Sequence, residues 1–147
     1  MLGHRYANQD CSAARALELI GERWSLLILR DAMFRNSTRF SQFQDSLGIA
    51  TNVLAKRLET FVEAGLMKRR RRGDPAERSD YTLTRKGLAL KPVIIALTEW
   101  GDRWIARGPV VFRTEPSGER VTLELRSANQ PNVAVESVVA RPRGRAR

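Results

Sequence analysis

Between Gly48 and Thr84 the order of residues leaves few folds open. Gly48 ends one helical pattern, and from Thr51 to Ala64 the apolar Leu54, Leu58, Phe61 and Val62 share one face while Asn52, Lys56 and Glu59 turn outward. Gly65 then supplies a helix stop. Leu66 to Arg72 reads as a strand carrying the basic run Lys68 to Arg72, Gly73 to Glu77 as a polar turn, and Asp80 to Thr84 as the return strand. A helix feeding a basic hairpin suits a chain that puts side chains into one groove of duplex DNA while the hairpin touches the adjacent backbone or groove.

The distribution of charge points to the same partner. The formal charge is +10, yet Arg35 to Leu90 holds 12 basic and 6 acidic residues, Arg141, Arg143, Arg145 and Arg147 add four more, and the remainder balances at 10 against 10. A generally solvated surface does not need that partition. A polyanion-binding face does, because phosphate contacts release counterions and dominate affinity. Nucleic acid is favoured over anionic membrane. With 147 residues, 42% hydrophobic and 29% charged, the chain fits one soluble domain and an appendage. Its longest apolar stretches, Trp24 to Leu29 and Val93 to Leu97, fall far below the roughly 20 residues of a membrane span. Met1 to Gln9 has no apolar block that could act as a signal peptide, so a cytoplasmic location is expected.

The remaining periodicity completes a mainly α chain with a small β component. Residues 1–10 read as a flexible leader. Asp10 or Ser12 can cap a helix to about Ile20, with Ala13, Ala16, Leu17 and Ile20 at helical spacing, and Gly21 ends it. Trp24 to Phe34 has almost no polar face at its start and is expected as the central core helix. Asn36-Ser37-Thr38 offers capping chemistry before a short helix from Phe40 to Leu47. After the hairpin, Thr84 can cap a helix in which Leu90, Val93, Leu97, Trp100 and Trp104 form the seam of two helices packing lengthwise, with Pro92 as a kink or the start of its second half. Residues 11–107 therefore form the helix-turn-helix domain with its basic wing. Residues 108–126 read as a small hairpin, with strands Val110 to Thr114 and Val121 to Leu125, and 127–147 as a basic tail without order when unbound.

Several pieces recur here in a set order: Cys11, Ile20-Gly21-Glu22-Arg23-Trp24-Ser25-Leu26-Leu27-Ile28-Leu29, Arg39-Phe40-Ser41-Gln42-Phe43, Leu54-Ala55-Lys56-Arg57-Leu58, Glu63-Ala64-Gly65-Leu66, Tyr81-Thr82-Leu83-Thr84-Arg85-Lys86-Gly87, and Pro92-Val93 leading to Trp100-Gly101. Over about Cys11 to Trp104 the chain resembles the HxlR-type winged helix-turn-helix transcriptional regulators, relatives of the MarR group. The resemblance implies a homodimer held by the first and last helices and a regulator of a palindromic operator. Where many relatives begin the recognition helix with Ser-Pro this chain has Ala50-Thr51, which moves the expected cap to Thr51.

Candidate residues follow. Asn52 can pair bidentately with adenine and Lys56 can meet guanine or phosphate; the bland alternative is a solvated helix face, and the basic strand behind them tips the balance toward DNA. Arg39 and Thr51 join that set. Arg57, beside Leu58, either joins it too or bridges a carboxylate inside the fold. Strand alternation sends the Lys68 to Arg72 side chains to opposite sides, so about half can face one groove. Arg70 and Arg71 are assigned to phosphate, and Arg78 to the wing's approach, since Asp74 and Glu77 weaken a phosphate-binding tip. Leu17, Leu90, Val93, Leu97, Trp100 and Trp104 are assigned to the dimer interface in preference to an effector pocket.

Cys11 stands beside a helix start, where backbone N–H groups favour a thiolate; its alternative is a small buried packing residue. Some members of the resembled family sense oxidants or electrophiles through a cysteine at this place, which makes Cys11 a candidate redox sensor and an oxidant or small ligand the candidate effector. A single cysteine and the single histidine His4 leave no ligand set for a metal, and no cofactor is expected. No catalytic triad, Gly-rich phosphate loop or paired carboxylates suggest an enzyme. The competing class is a basic protein that binds RNA or architectural DNA without sequence readout.

Overall fold

Apolar side chains spaced by three and four residues build the helices in the order the periodicity implies. The computed structural model describes residues 6–71, 73 and 79–144. It comprises α1 (Ser12–Ile20), α2 (Ser25–Phe34), α3 (Phe40–Leu47), α4 (Thr51–Glu63), β1 (Met67–Arg70), β2 (Asp80–Leu83), α5 (Arg85–Leu88), α6 (Lys91–Trp104) and a short 3-10 helix at Val135–Ser137. His4, the hairpin tip from Asp74 to Glu77, Arg78, Arg145 and Arg147 lie outside the described residues. Mostly helical with one two-stranded antiparallel sheet, this is the winged helix-turn-helix architecture. No described helix is long and apolar enough to cross a membrane.

The core gathers on α2, as its apolar run implies. Ile28 and Leu29 of α2, Phe43 of α3 and Leu54, Leu58 and Phe61 of α4 are fully buried in one cluster with Leu66 and Met67 at the start of the wing. A carboxylate is buried beside it. Asp31 Oδ1 accepts from Arg30 Nε at 2.9 Å and Nη2 at 2.8 Å, while Asp31 Oδ2 accepts from Ser46 Oγ at 2.6 Å. Arg35 Nη1 donates to the same Ser46 hydroxyl at 3.0 Å. Asp31 is fully buried and ties α2 to α3, which leads into the turn before α4.

Helix ends depart from expectation at three places. Cys11, with an extended backbone, is the residue that precedes α1, and Asp10 instead pairs with Arg15. Ala50 precedes α4, so Thr51 lies inside the helix and does not cap it; the Thr51 hydroxyl is taken up by Gln44, whose Nε2 donates to Oγ1 at 2.7 Å. The helical stretch after Thr84 divides into α5 and α6, and Pro92 falls in the first turn of α6, where its missing N–H forfeits no intrahelical bond.

The joint between α4 and the wing is built densely. Gly65, at φ +74°, adopts the left-handed conformation that lets Leu66 N donate to Phe61 O at 2.8 Å and Gly65 N to Val62 O at 3.1 Å, which closes the helix and turns the chain into β1. Thr84 Oγ1 donates to Gly65 O at 2.5 Å and accepts from Gly87 N at 3.1 Å, so it caps α5 as its position implied. Lys86 Nζ donates to Ala64 O at 2.7 Å, a cation on the carbonyl end of α4. In the sheet Met67 pairs with Leu83, Lys68 with Thr82, Arg69 with Tyr81 and Arg70 with Asp80. Asp80 also bridges Arg39, which lays the segment before α3 along the other edge of β2.

The chain divides into two units, Met1–Ile94 and Ile95–Arg147. In the second, Val121 N donates to Phe112 O and Thr114 N to Glu119 O, both at 2.9 Å, around a bridge between Arg113 and Arg120. Val110 to Thr114 and Val121 to Leu125, expected as two strands, form no strand there; these two bonds and the bridge join them. From Arg126 to Gly144 the described chain holds no strand or α-helix. It does contain the 3-10 turn and a bond from Val133 N to Leu125 O at 2.7 Å.

Candidate nucleic-acid interface

The helical period of α4 separates a buried stripe from an open one. Leu54, Leu58 and Phe61 face the core, and Thr51, Asn52, Ala55, Lys56, Glu59 and Glu63 are exposed. Asn52 and Lys56 lie one turn apart on the open face, toward its N-terminal end, the part of such a helix that enters a groove. Further along, Glu59 and Glu63 make the face acidic. No side chain caps the first turn of α4, so its leading amides have no side-chain acceptor.

Arg57 is placed otherwise than a DNA-facing side chain. It is 7% exposed, and its Nη1 lies 3.5 Å from Glu22 Oε1 in the turn before α2. The adjacent Leu58 is drawn into the core, and Glu22 supplies the carboxylate that the alternative reading required. The expectation of Arg57 as a DNA contact is thereby corrected to an internal bridge between α4 and the α1–α2 turn.

On the wing, Lys68, Arg69, Arg70 and Arg71 are all exposed, and Arg39 is exposed beside the sheet edge. Arg69, although exposed, leans onto its own wing. It follows the buried Met67 by two residues and so shares its face of the strand, where its Nε donates to Ser79 Oγ at 2.8 Å and its guanidinium carbon lies 5.9 Å from the Tyr81 ring centre. An open cleft of about 450 Å³ between Arg69, Ser79 and Tyr81 of the wing and Phe40, Gln44 and Thr51 of the helices separates the two parts of the interface. Arg69 was not among the residues expected on the wing, which were Arg70, Arg71 and Arg78. Counting by two from Met67, the one apolar residue in that strand, would have picked it out.

The residues assigned to an interface between subunits stand open in the single chain. Leu17 is 48% exposed in the first unit, and Leu97, Trp100 and Trp104 are 51%, 56% and 65% exposed in the second. Val93 is exposed and Leu90 half-buried. Cys11 is exposed. The N–H groups of Ala14 first and Ala13 second hold its thiol below the usual cysteine range; Arg15 adds to this and Asp10 opposes it. Among the described residues no group of three or more histidine, cysteine or carboxylate side chains could hold a metal ion.

The sequence pattern of the HxlR-like helix-turn-helix proteins matches residues 19–109, from the end of α1 through α6. This chain belongs to the HxlR-like helix-turn-helix family. It is 42% identical over 121 residues to an uncharacterised HTH-type transcriptional regulator of Mycobacterium tuberculosis, covering 80% of this chain and 75% of that protein. The crystal structure of PA1607, a candidate transcription factor, superposes with a TM-score of 0.81 at 37% identity, over 92% of this chain and 96% of the other. The reduced form of the transcriptional regulator YodB from B. subtilis superposes with a TM-score of 0.55 at 27% identity, over 68% of this chain and 99% of that one. YodB has also been solved after diamide treatment. As a member of the HxlR-like family the protein is a transcriptional regulator with a helix-turn-helix DNA-binding fold, related to the MarR group.

Proposed function

We propose that this HxlR-like protein binds a palindromic operator as a homodimer. The observation that carries this reading is the open N-terminal face of α4, with Thr51, Asn52 and Lys56, flanked by the basic strand of the wing. On this reading Asn52 and Lys56 enter one groove, and Arg39, Arg70 and Arg71 meet the backbone. Two-fold symmetry sets the half-sites about 10 base pairs apart. Sequencing genomic fragments retained by the purified protein, then comparing affinity for the recovered site and for random duplex at one salt concentration, tests it. Equal affinities would leave a non-specific nucleic-acid binder. Asn52→Ala is expected to cost roughly 1 to 3 kcal/mol on the operator and little on random duplex. Equal losses on both would demote Asn52 to a backbone contact. Arg70→Ala or Arg71→Ala is expected to weaken all duplexes alike and to make the salt dependence shallower.

The dimer is supported by the exposed Leu97, Trp100 and Trp104 of α6 and Leu17 of α1, an apolar display that a second copy would cover. Leu97→Asp is expected to convert the dimer to monomer in light scattering at micromolar concentration, because a two-fold interface buries the carboxylate twice. A wild-type chain that is already monomeric would remove the basis for a symmetric operator.

Cys11 is proposed as the point of oxidant or electrophile control. The support is its exposure and its lowered pKa, together with the existence of a related regulator, YodB, solved reduced and after diamide treatment. A lowered pKa places more of the thiol as thiolate at a given pH, so its alkylation rate should rise at lower pH than in the unfolded chain. Cys11→Ser is expected to bind operator normally in reducing buffer and to lose the response to oxidant. Should that variant respond as wild type does, the effector is a ligand elsewhere.

A further inference from the structure

We propose that the cleft between α4 and the wing seats one phosphodiester of the bound duplex, and that Arg69 is the side chain that grips it. This rests on the reading of α4 and the wing as the DNA-binding surface and adds a contact that fixes the distance between the two. Arg69 is held in place before any ligand arrives: its Nε is spent on Ser79 Oγ, 2.8 Å away, and Ser79 is itself buried. The guanidinium also rests against Tyr81, its cross-strand partner. Among the described residues these are its partners, and Arg69 lines the cleft, so on this proposal its Nη1 and Nη2 groups serve the phosphate. A planar fork of that kind matches the oxygens of a phosphate.

Among the described residues the other walls of the cleft supply donors and no acid. Thr51 Oγ1 accepts from Gln44 Nε2 at 2.7 Å, so the Thr51 hydroxyl hydrogen remains available to an oxyanion. Phe40, Gln44, Thr51, Ser79 and Tyr81 line it with Arg69, and none carries a negative charge. The contrast with the next hollow decides where the anion goes. A second open cleft of about 500 Å³ also reaches Arg69 and Tyr81, but its α4 side bears Glu59 and Glu63. Two carboxylates repel a phosphate there, although neither forms an ion pair with Arg69. The duplex backbone is thus admitted toward the N-terminal half of α4, beside Asn52, and turned away from the C-terminal half.

Single phosphates on a duplex differ from free phosphate in solution only in what they are attached to, and the test separates them. Binding of wild type, Arg69→Ala, Arg69→Lys and Ser79→Ala to one random-sequence duplex is measured across salt, after thermal melting has verified that each variant is folded. Arg69→Ala is expected to lower affinity on the order of tenfold and to reduce the logarithmic salt slope by about one. Ser79→Ala keeps the charge and so the slope, but loses affinity because the fork is no longer held. Arg69→Lys, a point charge without the fork, should restore the slope and only part of the affinity. An unchanged slope in folded Arg69→Ala overturns the assignment. So does a melting temperature raised by millimolar inorganic phosphate in wild type but not in Arg69→Ala when both bind duplex equally, since the cleft would then hold a free anion. Failure of wild type to bind any duplex would instead sink the reading of the surface as a whole.

Discussion

Asp31→Ala should lower the stability of the folded chain by about 2 to 4 kcal/mol, because removing a fully buried carboxylate takes away the acceptor shared by two arginines and a serine. The loss is not confined to one bond. Arg30, Ser46 and Arg35, the last both directly at 3.6 Å and through Ser46, all orient on this carboxylate, and they belong to α2, to α3 and to the segment between them. Arg30 and Arg35 are partly exposed and can recover water, which keeps the cost below that of a wholly buried ion pair. Ser46→Ala, which removes one neutral donor, should cost about 1 kcal/mol. Urea unfolding of both variants decides: a change under about 0.5 kcal/mol for Asp31→Ala would mean that α2 and α3 are held by apolar packing alone. DNA affinity should fall with stability, since α3 leads directly into the turn that aims α4.

Gly87→Ala is the second large effect, and it acts on the wing. An ideal Cβ on Gly87 would stand 2.1 Å from Leu66 O and 3.0 Å from Leu66 C, both backbone atoms at the base of β1. Alanine ordinarily favours a helix over glycine by up to about 1 kcal/mol, but a clash with backbone forces either α5 or the wing to move, at a typical cost of about 1 to 3 kcal/mol or more. A net loss of about 2 kcal/mol is expected, seen as a melting temperature lower by roughly 5 to 12 °C. Leu66 O also accepts from Thr84 N at 3.0 Å, so displacing it disturbs the joint that sets the wing against α4. Gly87→Ala should therefore weaken duplex binding even at temperatures where it remains folded. A variant as stable as wild type with unchanged affinity would show that the close approach of α5 to Leu66 is relaxed in solution.

Local chemistry alone made much of this fold legible. Phe40, Phe43 and Leu47 at helical spacing marked α3 to the residue, and Leu54, Leu58 and Phe61 marked the buried face of α4. Gly48 and Gly65 both have positive φ, and each stands where the helical period breaks, so the turn and the wing's start could be read from residue type. Thr84 announced its cap because capping needs only a hydroxyl and an amide three residues on. The helix ends that were misplaced involve competition. Asp10 is drawn to Arg15, and the Thr51 hydroxyl to Gln44, a residue of the preceding helix.

Residue order by itself determined the succession of helices, the position of the wing and the concentration of positive charge around them, because helical period, glycine punctuation and charge are properties of neighbours along the chain. Only the tertiary structure decided what each charged group meets. Arg57 and Lys56 are adjacent, yet one bridges to Glu22 inside the fold and the other is exposed. Arg69 and Arg70 are adjacent in one basic run, yet only the first turns toward α4 and Tyr81. Asp31 lies in an apolar helix whose partner Ser46 is 15 residues away. A long charged side chain is indifferent to its neighbours in sequence, and its direction is set by the strand or helix packed against it and by the counter-charge that this packing brings within reach.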